Sequence, residues 1–193
     1  MFENIIQLIV LFFVIFDPFA SFMVFFTATK KMKFKQRFNT AMLAVLIAGV
    51  LSLMFLLFGE GVLMLFNTSI DNFRIAGGII LGILGIKMTL GHSLVNIEQN
   101  NGNYGKALAS VIGTPLLTGP AAISAIIISS SEYGIIQTGF SISVVLIFTL
   151  LLLCGSGVVS RYIGKTTSQV ISTILGLVTL AWAVDFIRIG LGF

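Results

Sequence analysis

The chain has 193 residues, 57% of them hydrophobic and only 9% charged, where a soluble domain carries about 25% charged residues. So few charges cannot cover a water-facing surface, so the chain is expected to live in a bilayer as an all-α integral membrane protein. The net charge of +4 raises nucleic acid as a partner, but the placement of the basic residues described below excludes it. The single cysteine, Cys154, rules out an internal disulfide and a cysteine-rich metal site.

Six apolar segments near the ~20 residues needed to cross hydrocarbon lie at roughly 4–28, 39–58, 73–91, 107–129, 135–159 and 169–190. The opening "MFENIIQL" has an acidic residue and no basic flank, so no cleaved signal peptide is expected.

In the first segment, Asp17 and Pro18 stand together inside an apolar run. Asp is a preferred helix N-cap, and Pro suits the first helical position, where its missing N–H costs nothing. "DP" is therefore read as the start of a helix in mid-membrane, with half-helices at roughly 4–15 and 18–29.

The loop that follows, "KKMKFKQRF", holds Lys30, Lys31, Lys33, Lys35 and Arg37. Lys87 and Lys106 flank the third connection, and Arg161 and Lys165 sit in the fifth, leaving only Arg74 and Arg188 on the other side. Nine basic residues against two make those three loops cytoplasmic and place both termini outside. The protein is thus expected in the cell inner (plasma) membrane.

The third segment carries Gly77, Gly78, Gly82 and Gly85, a close-packing face on which Gly77 and Gly78 can also admit a substrate. Arg74 can snorkel from its helix end, and Asp185 and Arg188, at i and i+3, are expected to pair. The stretch 92–106, "HSLVNIEQNNGNYGK", reads as a flexible cytoplasmic linker. It divides one transmembrane domain, 1–193, into halves at 1–91 and 107–193.

The fourth segment is interrupted by Pro115, Gly119 and Pro120, and a second half-helix is expected to start at Pro120. With three segments each, the second half enters from the opposite side, giving two inverted three-helix repeats with the first and fourth helices broken. "DPFASFMVFF" at 17–26 can be laid on "GPAAISAIII" at 119–128, with Pro18 over Pro120.

Two helix N-termini then approach one another, each with about half a positive charge and free N–H groups. The side chains beside them, Ala20, Ser21, Ala121, Ala122 and Ser124, are small and partly hydroxylated. Thr114 and Thr118 can add hydrogen bonds, and Asp17 can meet an ammonium or carry a proton. A small zwitterionic amino acid satisfies all these groups. Against this stands the plain alternative that Asp17 caps its own helix and the serines and threonines join helices.

These stretches resemble the MarC family of membrane proteins. "DPFASFMVFF" is similar to that family's D-P-x-G-N-x-P motif, and "PLLTGPAAIS", 115–124, to its P-L-x-x-G-P-G-A-I-S element; "RIAGGIILGILGIKM", 74–88, follows its third-segment pattern. The motif's Gly and Asn are here Ala20 and Ser21, and its later Pro is Met23. The resemblance implies six spans in inverted halves and, through the family's archaeal small neutral amino acid transporters, transport of glycine and alanine. The expected substrate site is Asp17, Pro18, Ala20, Ser21, Gly77, Gly78, Thr118, Gly119, Pro120, Ala121, Ala122 and Ser124. No cofactor or metal is expected, coupling to a proton or sodium ion is left open, and an oligomer is compatible with the reading. A passive channel or an exporter of another small solute is the alternative. No enzyme motif is visible, so an enzyme is not expected.

Overall fold

The structure is a computed structural model and describes residues 2–30, 32–65, 67–91, 104–157, 159 and 165–192. Lys31, His92, the expected linker over 92–103 and Arg161 lie outside the described residues, as do the side chains of Lys106, Thr114, Pro115 and Lys165.

Among the described residues all regular structure is helical, with no strand. In chain order the helices are α1 (Phe2–Phe16), α2 (Pro18–Thr29), α3 (Phe34–Leu65), α4 (Ile70–Thr89) and α5 (Tyr104–Val111). A π-helical stretch at Ile112–Leu117 follows, then α6 (Pro120–Tyr133), α7 (Ile135–Cys154) and α8 (Lys165–Gly190).

Among the described residues five stretches are long and apolar enough to cross a membrane: Glu3–Thr29, Phe34–Gly59, Ile70–Thr89, Ile135–Cys154 and Thr166–Gly190. The segment expected at 107–129 is not one helix. It is divided among the end of α5, the π stretch and α6, which has 14 residues. The sequence explains the division. Pro115 falls in the π stretch, where a residue without an N–H interrupts the ordinary ladder, and Gly119–Pro120 starts the chain afresh.

The helix α3 has 32 residues, about 48 Å at 1.5 Å per residue, and overshoots the ~30 Å hydrocarbon core. The expected 39–58 marks its apolar middle, and polar turns at its start continue the helix beyond it. Exposed Leu46, Val50, Leu53 and Leu57 recur every three or four residues along it, forming a stripe suited to lipid.

The most extensive helix pairing joins α4 to α8. Small residues make it close. A Cβ on Gly78 would lie 2.8 Å from the Ala183 carbonyl oxygen, and one on Gly85 would lie 2.9 Å from that of Gly176. Neither position has room for a side chain, so these glycines are packing residues. Across the bundle, Phe12, Phe16, Phe22 and Phe25 are fully buried, and Phe12 and Phe16 meet with ring centroids 5.8 Å apart. This aromatic block fixes α1 and α2 on either side of Asp17.

Candidate functional site

Between α1 and α2 a single residue, Asp17, turns the chain with φ 38° and ψ 74°. Left-handed backbone is unfavourable for most L-residues, and Asp and Asn tolerate it best because their short polar side chains bond locally. Here the side chain does so. Its Oδ1 accepts the Ala20 N–H at 3.1 Å, capping α2, whose first residue is Pro18. The Ser172 hydroxyl of α8 donates to Oδ2, so both carboxylate oxygens are engaged. Asp17 is only 3% exposed. A buried carboxylate in a stretch apolar enough to cross a membrane is a candidate functional group.

The second helix start has the same form without a charge. Gly119, in extended conformation, precedes Pro120 at the head of α6 and supplies no side-chain cap. The first N–H groups of α6 thus lack a side-chain partner of the kind Asp17 gives α2.

Both starts open on one cavity of about 180 Å³. Asp17, Ala20 and Ser21 line one side of it, and Gly119, Pro120, Ala121 and Ala122 the other; α4 closes it with Ile80, Ile83, Leu84, Lys87 and Met88. Asp17, Ser21, Ala121 and Ala122 are buried, whereas Ile83, Lys87 and Pro120 are exposed at the rim. Ser21 is fully buried, and its hydroxyl oxygen has no hydrogen-bond partner. A buried hydroxyl left unpaired is costly, and a solute in the cavity can supply what it lacks.

Of the residues expected at a site, the structure gathers Asp17, Ala20, Ser21, Gly119, Pro120, Ala121 and Ala122 around the cavity. Pro18 is buried beside them without lining it. The remaining four face elsewhere. Thr118 donates to the Ala48 carbonyl of α3 at 3.3 Å, and Ser124 donates to the Pro120 carbonyl within its own helix at 3.0 Å. A Cβ on Gly77 would stand 2.7 Å from that of Ser124, so Gly77 seats α4 on α6, while Gly78 seats it on α8.

Two residues were missed. Ser172 lies 155 positions from Asp17, and nothing local in the sequence links them. Lys87 reads naturally as a positive-inside anchor. It could have been found from its spacing, since Ile80, Leu84 and Lys87, at i, i+4 and i+7, share one helix face.

At the opposite end of α4 an ion pair joins it to α6. Arg74 bridges Asp71 at 3.2 Å and Glu132 of α6, beside a smaller cavity of about 90 Å³ that Trp182 and Asp185 help to line. Asp185 and Arg188 pair as expected, at 3.0 Å.

The pattern of the family described as "MarC family integral membrane protein" matches residues 2–192. A UPF0056 membrane protein of Methanocaldococcus jannaschii is 31% identical over 188 residues, covering 93% of this chain and 91% of the relative. One from Buchnera aphidicola subsp. Baizongia pistaciae is 30% identical over 189 residues, 93% and 88% of the two chains. The UPF0056 membrane protein YhcE of Escherichia coli is 30% identical over 190 residues, 93% and 87%. No solved structure matches.

Proposed function

This chain belongs to the MarC family of integral membrane proteins, and on that premise we propose that it is a secondary transporter of small neutral amino acids. The substrates would be of the glycine and alanine class, carried by alternating access across the inner membrane. One observation carries the reading: two helix starts, at Asp17–Pro18 and Gly119–Pro120, border a single small cavity that also holds an unpaired buried hydroxyl.

The chemistry follows from those groups. The amides heading α6, which have no side-chain cap, receive the carboxylate, as helix N-termini receive anions generally. Ser21 and Asp17 lie within the same cavity to meet the ammonium. Ala20, Ala121 and Ala122 give the cavity small apolar walls, which suit a small solute.

Alternating access needs two halves that rearrange about a fixed site. Six spans in inverted halves, with the first and fourth broken at membrane depth, fit the packing. Exchanging the halves pairs α3 with α7 and α4 with α8. In that exchange the packing of α3 on α5, the π stretch and α6 answers that of α7 on α1 and α2. Likewise α4 on α6 answers α8 on α2. Irregular backbone at membrane depth is tolerated only where it is buried in protein or lines a cavity; that Asp17 and Gly119 are buried and line one supports the reading.

Purified protein in liposomes, given labelled glycine with and without a proton or sodium gradient, tests the reading. Saturable uptake or counterflow is expected. Flux of glycine that never saturates would replace the transporter with a channel, and no glycine flux at all would remove the substrate class.

A further inference from the structure

We propose that Lys87 is a specificity-determining residue of this cavity, drawing in the carboxylate of a solute and separating carboxylated solutes from those without one. The inference rests on the reading above, that the cavity takes a small zwitterion.

Lys87 lines the cavity from the last turn of α4 and is exposed at its rim. Its stem lies on the same helix face as Ile80 and Leu84, which lead from the rim to the buried wall. It makes no ion pair among the described residues, where the pairs are Arg74 with Asp71 and Glu132, and Arg188 with Asp185. The other charged residue lining the cavity is Asp17. Asp17 is already committed, with Oδ1 to the Ala20 N–H and Oδ2 to the Ser172 hydroxyl.

Asp17 keeps its place for an ammonium, and Lys87 is the side chain of the lining that offers a carboxylate a positive charge. To a carboxylate the cavity offers an ammonium without an ion pair at the rim, the uncapped start of α6 below it, and the unpaired Ser21 hydroxyl. The carboxylate of a solute passing inward meets Lys87 first and the α6 amides second. A charge exposed at the rim attracts a carboxylate at short range, and salt screens that attraction. Lys87 acts on capture and discrimination, and the amides hold the bound state.

The test compares the parent with Lys87→Gln and Lys87→Arg in proteoliposomes, using labelled glycine and competition by glycine and by glycinamide. Lys87→Gln should weaken the apparent affinity for glycine about 2- to 5-fold, as loss of an exposed ion pair would. It should leave glycinamide unchanged, so that the two ligands converge. Lys87→Arg should keep the parent's discrimination. Raising ionic strength should narrow the parent's preference and leave that of Lys87→Gln as it was.

Equal discrimination by parent and Lys87→Gln, with parent uptake intact, overturns the role of Lys87 and leaves the transporter reading standing. A parent without saturable glycine uptake overturns both. Loss of the effect in Lys87→Arg as well would make it one of lysine packing, and would also sink the proposal.

Discussion

Replacing Asp17 by Asn or by Ala should separate its charge from its architecture. Asn keeps what the backbone needs: it tolerates the left-handed conformation at φ 38° and caps a helix about as well as Asp. Its carbonyl oxygen can accept the Ala20 N–H, and its amide can donate to the Ser172 hydroxyl, which turns to accept. Little stability should be lost. Ala keeps none of this. Loss of the cap is worth about 1 kcal/mol and the strain of Ala in a left-handed conformation about 1–2 kcal/mol, so Asp17→Ala should lose about 2–3 kcal/mol. Thermal unfolding in detergent should therefore rank parent and Asp17→Asn close together, with Asp17→Ala well below. Glycine uptake should fall in both variants. Asp17→Asn protein that is stable and transports like the parent would show that Asp17 is only a cap. Asp17→Ala protein as stable as the parent would refute the account of the turn.

Ala122→Leu should abolish glycine binding by filling the cavity, whereas Ser143→Leu, on the exposed face of α7, should leave it unchanged in the same binding assay. Ser124→Leu should act differently and lower the yield of folded protein, because Ser124 meets Gly77 rather than the cavity. Gly78→Leu should prevent α4 from seating on α8 and cost at least the ~1–3 kcal/mol typical of overpacking, read as a lower unfolding temperature. The orientation expected from the sequence, with nine of the eleven basic residues on the cytoplasmic side, predicts that a reagent added outside labels Asn67→Cys well and Asn100→Cys poorly; the reverse pattern would invert it.

What could be read from the sequence was what local chemistry dictates. The Asp-Pro and Gly-Pro pairs mark helix starts because capping and the missing proline N–H act within a few residues. The apolar runs mark candidate spans for the same local reason. What escaped depends on distant contacts. The Asp17–Ser172 bond joins α8 to the turn between α1 and α2, and no period or spacing connects two such positions. Ser124 and Thr118, small and hydroxylated near the second helix start, resemble site residues in sequence. Only the packing of α6 on α4, and of its leading turn on α3, shows that they face other helices. Gly77 and Gly78 were ambiguous for the same reason: a glycine face suits a neighbouring helix as well as a substrate. Lys87 is masked by the positive-inside rule, since a basic residue at a helix end fits it whether or not it borders a cavity.

The most direct test of the central claim, that the cavity between the two helix starts holds the substrate, is ligand protection of a thiol placed in its wall. Ala20 lines the cavity and is half-buried, so Ala20→Cys in a Cys154→Ser background offers a single reactive site there. Glycine should slow its alkylation by a small thiol reagent in proportion to occupancy, glycinamide should do so poorly, and Ser143→Cys on the same background should be unaffected. Alkylation of Ala20→Cys at the same rate with and without saturating glycine would place the substrate elsewhere and leave the paired helix starts as structure alone.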